Sequence, residues 1–283
     1  MNRLGGFVRL MRLANCTMMG FAVIIGAALA SLKDMNALWL NLVYGFITGF
    51  TLTAASMAIN DYYDRQIDVV NEPNRPIPSG QIKPLEALVL ALVLTLFGFL
   101  SACLTNLLCL LVSVIAWLVF TAYTTVGKRS GLLGNFLVSS CVAIPFIYGS
   151  VAVIDAVQIN VLLFASMAFL SNTGREITKG IVDVQGDRAQ GVKTLSVRYD
   201  DKTAAVAAVV FYLCAVLLSP LPWLLGLVSF WFLPFVAVTD IGLLISSAML
   251  LKDYSRESAR RVKKTVLLWF LVGLLAFVAG AYG

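Results

Sequence analysis

Residues 36–68 read NALWLNLVYGFITGFTLTAASMAINDYYDRQID. From Asn36 to Ala58 there is no charged residue, and one helix needs only about 20 apolar residues to cross hydrocarbon. Asn60, Asp61, Asp64, Arg65 and Asp68 then arrive together. If the helix continues at about 100° per residue, Asp64, Asp68 and Asp61 stand about 40°, 80° and 100° around from Asn60, on one face. Aspartates at i and i+4 repel, and at a membrane boundary the reduced dielectric raises that cost unless positive charge sits among them. The stretch therefore reads as a membrane helix whose exit carries a polar face in need of a cation.

The rest of the chain agrees with a membrane reading. Of 283 residues, 60% are hydrophobic and 13% charged, with mean hydropathy +0.89, against roughly 45–50% apolar and 25% charged in soluble domains. This composition excludes a water-soluble fold and predicts an all-α integral membrane protein, a single domain over residues 1–283. Hydropathy places spans at 14–31, 36–58, 84–104, 107–125, 132–152, 158–181, 202–219, 223–249 and 264–281, nine transmembrane helices in one bundle. With that count, every one of the 21 basic residues except Lys33 falls on one side. The positive-inside rule then makes the N-terminus and the long loops over the site cytoplasmic, in a multi-pass protein of the cell membrane. The basic N-terminus followed by residues 14–31 resembles a secretory signal. The apolar run is too long for that and more spans follow, so it is read as the first span.

Histidine is absent, which removes imidazole acid–base chemistry, Ser-His-Asp triads and most catalytic zinc sites. The five cysteines, Cys16, Cys103, Cys109, Cys141 and Cys214, lie singly in apolar runs without a CxxC pattern and read as packing residues. Carboxylate, amine and hydroxyl chemistry remains.

A second polar stripe ends the sixth span: Asn172, Glu176, Lys179, Asp183 and Asp187 fall within an arc of about 80°. Hard carboxylate and amide oxygens without Cys or His suit Mg²⁺, which is usually shared between a few carboxylates and substrate phosphates. The alternative is a solvated helix end paired with nearby Lys and Arg. Two such clusters on one side, each backed by basic residues, favour the metal. The first is followed by the Pro-rich segment Glu72-Pro73-Asn74-Arg75-Pro76-Ile77-Pro78-Ser79-Gly80 and the second by Arg188-Ala189-Gln190-Gly191-Val192-Lys193-Thr194. Cations beside metal-binding carboxylates fit a diphosphate, whose charge exceeds what Mg²⁺ neutralises. Tyr123 and Lys128-Arg129 add a donor and two more cations, although part of this basic set serves topology alone.

Asn60-Asp61-x-x-Asp64-x-x-x-Asp68, the run Arg75-Pro76-Ile77-Pro78-Ser79-Gly80 and Asp183-x-x-x-Asp187 resemble the UbiA superfamily of intramembrane prenyltransferases, over essentially the whole chain. Asp183 to Leu195 and Arg12-Leu13-Ala14-Asn15-Cys16 are similar to the members that attach the second chain of archaeal ether lipids. Many members place a Lys four residues after a Tyr in the four-to-five loop, whereas Lys128 lies five after Tyr123. The resemblance implies that Asn60, Asp64 and Asp68, with Asp61 in the same motif, and Asp183 and Asp187 hold two Mg²⁺ ions on a prenyl diphosphate. It implies catalytic roles for the four aspartates 64, 68, 183 and 187 and for Tyr123, and phosphate contacts for Arg65 and Lys128. Arg12, Arg75, Lys179, Arg188 and Lys193 complete the expected substrate-binding set. The implied reaction moves a geranylgeranyl group from geranylgeranyl diphosphate to the free hydroxyl of geranylgeranylglyceryl phosphate within the lipid bilayer, with no nucleic-acid partner.

Three alternatives stand beside it. An aromatic acceptor such as hydroxybenzoate, homogentisate or a naphthoate would share the donor chemistry and metal site. A cation or solute transporter would place carboxylates near the bilayer midplane, whereas the densest acidic clusters here lie at the boundary. A CDP-alcohol phosphotransferase would carry an Asp-Gly and Ala-Arg pattern that precedes neither cluster. Asp240, inside the eighth span, is read as paired within the bundle or catalytic, and Glu176 as site support or an internal ion pair. Gly20 and Gly26 read as points of close helix approach.

Overall fold

The structure is a computed structural model and describes residues 3–189 and 191–282. The described residues form helices joined by short connections: α1 (Arg3–Met11), α2 (Leu13–Ala30), α3 (Leu32–Ala37), α4 (Trp39–Asn71), α5 (Pro84–Thr105), α6 (Leu107–Thr125), α7 (Leu132–Ile154), α8 (Ile159–Ala189), α9 (Leu195–Arg198), α10 (Asp201–Leu218), α11 (Leu221–Leu224), α12 (Phe232–Lys252) and α13 (Arg256–Tyr282). Asn106, in extended backbone, separates α5 from α6 where Thr105-Asn106 interrupts the apolar run. The second expected span continues as one helix through the acidic residues, so the face drawn for Asn60, Asp61, Asp64 and Asp68 belongs to α4.

Among the described residues, eight helices are long and apolar enough to cross a membrane. The expected count of nine is corrected at residues 158–181. That segment forms α8, but Asn160, Asn172, Arg175 and Glu176 dilute its apolar composition. Such residues are tolerated because the helix is enclosed by protein, with Phe164, Thr173, Ile177 and Ile181 all buried. The eighth expected span, 223–249, is also shortened: the short α11 stands apart and α12 begins only at Phe232.

On α5, residue size rather than polarity decides which face is buried. Along α5 the buried face is Ala87, Ala91, Thr95, Gly98, Ser101 and Ala102, while Leu85, Val89, Leu92, Leu96 and Leu100 are exposed. Lipid is as apolar as leucine, so nothing drives the large side chains inward, and small residues let helix backbones approach.

The chain divides into two compact units. The first comprises Met1–Thr125 with Ile144–Val157. There α4 packs against α2 and α5, and Leu10, Ala55, Ala58, Ile77, Ile82, Ala87 and Ala91 form a core that pins the Pro-rich loop. The second comprises Val126–Ala143 with Gln158–Gly283. It is built on α8 against α10 and α12 against α13, around Ile177, Ile181, Tyr212, Leu243, Leu250, Val262 and Val266.

Within the first unit, α2 and the second half of α7 meet backbone to backbone. A Cβ on Gly26 would lie 2.1 Å from the Phe146 carbonyl oxygen, and one on Gly149 would lie 2.0 Å from that of Val23. The close-approach reading holds for Gly20 as well, whose Cβ would strike the Phe46 ring at 2.6 Å. Neither carbonyl can swing aside without moving its helix. Gly149→Ala should therefore destabilise the protein by about 1–3 kcal/mol, seen as a lower thermal midpoint in detergent. Gly5→Ala, where nothing lies within 4 Å, should leave that midpoint unchanged.

Candidate active site

At a rise of about 1.5 Å per residue α4 is about 50 Å long, more than the roughly 30 Å of hydrocarbon, so its last turns stand beyond the apolar layer. Three carboxylates are nevertheless buried there: Asp61, Asp64 and Asp68 are 2%, 8% and 4% exposed. Buried charge is costly unless paired, and the structure pairs it in two ways. Asn60 Nδ2 donates to Asp64 Oδ2 at 3.0 Å. Arg12 Nη2 lies 2.6 Å from Asp61 Oδ1, while Arg75 Nη1 lies 3.5 Å from the same oxygen and 2.6 Å from Asp68 Oδ2. The acidic face thus divides into an amide–carboxylate pair and an alternating ladder, Arg12–Asp61–Arg75–Asp68.

Arg75 is delivered by the loop between α4 and α5. Ile77 and Ile82 sink into the core, the Ile82 amide donates to the Pro76 carbonyl at 2.9 Å, and Gly80 turns the chain at φ +72°. Burial alone would lower the Arg75 pKa, but Asp68 and Asp61, with Glu72 nearby, hold it above its ordinary value. Arg65, expected on the phosphates, is engaged locally: Nη1 donates to the Tyr62 carbonyl at 2.7 Å and the guanidinium stacks 4.3 Å from the Tyr62 ring centre. Tyr123 lies on α6, half-buried.

In the second unit, the polar side of α8 begins with a buried cluster that sequence reasoning missed in part. Asn172 Nδ2 and Thr173 Oγ1 both reach Ser139 Oγ, at 3.1 and 2.9 Å. Ser139 lies in an apolar run and carried no signal. Next come Arg175, Glu176 and Lys179, with Glu176 paired at 2.9 Å to Arg175 and 3.3 Å to Lys179; this is the ion-pair reading of Glu176. Asp240 likewise accepts from Ser219 Oγ at 2.6 Å, inside the bundle.

Beyond them stand Asp183 and Asp187. The Asp187 pKa is pushed up to about 6, first by burial and then by Asp183, with Lys179, Thr194 and Lys128 pulling the other way. Lys128 is thus near enough to Asp187 to favour its charged form, together with Lys179. Arg188, in the last turn of α8, and Lys193, beyond the helix, are both exposed. Among the described residues no group of three or more carboxylates is gathered to hold a metal ion. The donor chemistry still fits a hard divalent cation. Asn60 with Asp64 offers amide and carboxylate oxygens, and the mutual repulsion of Asp183 and Asp187 is what such an ion would relieve.

The turn carrying Lys128 is fastened to the loop after α8. Lys193 N donates to the Arg129 carbonyl at 3.2 Å, and a Cβ on Gly131, at φ +69°, would lie 2.1 Å from the Lys193 carbonyl oxygen.

With this arrangement described, its kinship is clear. Residues 19–272 match the UbiA prenyltransferase family, and the chain belongs to it. It is a multi-pass membrane prenyltransferase. It is 37% identical to digeranylgeranylglyceryl phosphate synthase of Archaeoglobus fulgidus, over 96% of this chain and 94% of the relative. To the enzyme of that name in Methanocaldococcus jannaschii it is 34% identical, over 99% and 98%. Among solved structures, one of a digeranylgeranylglyceryl phosphate synthase covers 99% of both chains at 32% identity with a TM-score of 0.85. A UbiA homolog from Archaeoglobus fulgidus, solved bound to GPP and Mg²⁺, covers 96% of this chain and 99% of its own with a TM-score of 0.69 at 18% identity, a likeness of fold.

The Gly131 contact predicts a graded pair of variants. Gly191, also at φ +69°, has nothing within 4 Å of its missing Cβ. Gly191→Ala should cost only the left-handed backbone penalty, about 1–2 kcal/mol. Gly131→Ala adds a clash with backbone, so its thermal midpoint should fall further and its prenyl transfer should drop while that of Gly191→Ala is largely kept.

Proposed function

We propose that this chain transfers a geranylgeranyl group from geranylgeranyl diphosphate to the free hydroxyl of geranylgeranylglyceryl phosphate, with Mg²⁺, as one catalytic domain of the cell membrane with its acidic helix ends facing the cytoplasm. The observation that carries this reading is the near-full-length similarity to relatives named for that synthesis. Its support in the chain is the pair of acidic helix ends, each supplied with cations. The crowding of basic residues on the same connections supports the orientation.

In this reading Asn60, Asp64 and Asp68 on α4 and Asp183 and Asp187 on α8 hold the metal, which we take as two ions. When bound, Mg²⁺ supplies Lewis-acid stabilisation of the departing diphosphate. In the same reading Lys128 and Arg75 neutralise the phosphate charge that metal leaves over, and Lys179, Arg188, Lys193 and Tyr123 extend that donor set. The C1–O bond of the donor breaks with its electron pair on the diphosphate, leaving an allylic cation at C1. The helices exclude water from that cation. The acceptor hydroxyl oxygen then bonds C1, and its proton passes to a carboxylate or to the released diphosphate. A neutral alcohol is nucleophile enough because the electrophile is so reactive.

Two measurements test this. Purified protein given geranylgeranyl diphosphate, Mg²⁺ and a mixture of geranylgeranylglyceryl phosphate and aromatic acids should yield the diether phosphate by mass; an exclusively aromatic adduct would overturn the acceptor. Asp64→Asn and Asp187→Asn should each lower kcat/KM roughly a hundred-fold or more, the scale seen when one transition-state-stabilising group is removed. Chelation should abolish turnover and added Mg²⁺ restore it.

A further inference from the structure

Asp61 belongs to the acidic motif, yet its surroundings differ from those of a metal ligand. One oxygen, Oδ1, receives both Arg12 at 2.6 Å and Arg75 at 3.5 Å. The Asp61 side chain is 3% exposed, whereas those of Arg12 and Arg75 are 34% and 29% exposed. The carboxylate lies behind and the two guanidinium heads lie in front of it.

The two arginines come from distant places. Arg75 rides on the Pro-rich loop. Arg12 forms the joint between α1 and α2 and holds a left-handed backbone, φ 54° and ψ 63°. Asp155, the other non-glycine residue with positive φ among the described residues, is of a type that tolerates it; arginine is not. A strained joint persists when its surroundings hold it there. Here the hold is the Asp61 ion pair, with Met57 Sδ 3.5 Å from Arg12 Nη1.

We propose that Asp61 is a positioning residue, which holds Arg12 and Arg75 together as a two-guanidinium receptor for a substrate phosphate and does not ligate metal. With Asp68, which lies 2.6 Å from Arg75, the ladder is neutral as a whole, and its half-exposed guanidinium heads are the groups that would meet a phosphate, with both carboxylates buried behind them. Each guanidinium has five donors in a planar fork matched to phosphate oxygens, and a shared carboxylate sets the spacing of the two forks. This rests on the reading that the substrates carry phosphate. The ligand chemistry is a phosphate group, either the donor's diphosphate or the acceptor's phosphate ester.

The test uses the full-length protein and the variants Asp61→Asn, Asp61→Glu, Arg12→Gln and the Asp61→Asn/Arg12→Gln pair. Mn²⁺ affinity is read by electron paramagnetic resonance, and kcat and KM are measured for each substrate in turn. Asp61→Asn should leave Mn²⁺ affinity within two-fold and kcat within about three-fold while raising the KM of one phosphate substrate about ten-fold. The substrate whose KM moves identifies the phosphate. Arg12→Gln should move the same KM, the double variant should be no worse than the poorer single one, and Asp61→Glu should recover much of the loss. A ten-fold weaker Mn²⁺ affinity in Asp61→Asn would make Asp61 a metal ligand and overturn the proposal. A lowered thermal midpoint with both KM values unchanged would overturn it too, reducing the ladder to a structural brace. Wild-type protein that binds no Mn²⁺ would count against the metal reading instead, and the KM comparison would still decide the role of Asp61.

Discussion

A carboxylate withdrawn from water must find positive charge, and that requirement organises both polar ends of this protein. On α4 it is met internally. Asp61 and Asp68 are shielded by arginines that the chain brings from either side of the helix in sequence, one before α2 and one from the loop after α4. On α8 it is met incompletely, for Asp187 sits beside Asp183 and its pKa rises to about 6 despite Lys179 and Lys128. Repulsion of this kind is what a bound cation would relieve. The carboxylates Asp61 and Asp68 of α4 are thus paired by arginine, whereas the repulsion between Asp183 and Asp187 on α8 is only partly offset.

Around these ends the fold is held by a different force. In lipid the leucines of α5 gain nothing by turning inward, so alanine and glycine make the contacts and backbones touch, as at Gly26 and Gly149. Contacts of this kind are rigid, since no side chain stands between the helices to adjust. That rigidity suits a polar constellation whose members come from the α1–α2 joint, α4 and the Pro-rich loop. A small shift of α4 against α2 would separate Arg12 from Asp61.

What was legible in the sequence follows from the same physics. The acidic face of α4 could be drawn because a helix continuing past an apolar run obeys a fixed angular period, and α4 does continue. The break at Asn106 was visible because polar residues interrupt a strongly apolar stretch. The sixth expected span, 158–181, brought the count to nine where the apolar period is diluted: α8 carries Asn172, Arg175 and Glu176 because protein encloses them, and a hydropathy window cannot separate enclosure from exposure. Ser139 was invisible, since a serine in an apolar run looks the same whether or not an asparagine and a threonine reach for it. The Arg12 joint was invisible too. Its cause is an ion pair to a residue on another helix, while local propensity argues against left-handed arginine.

The absence of histidine, which at first only removes mechanisms, is consistent with the chemistry that remains. Proton transfer near neutral pH usually calls for a group that titrates there. In the proposed reaction the demanding step is the departure of a diphosphate, and what that step needs is fixed positive charge that does not titrate. Arginine keeps its charge at any physiological pH, and ion pairing raises the Arg75 pKa further. The proton of the acceptor hydroxyl is lost only after its oxygen has begun to bond a carbocation, when that proton has become strongly acidic, so an ordinary carboxylate or the released diphosphate is base enough. A site of aspartates, arginines and lysines with one amide therefore contains what the reaction requires.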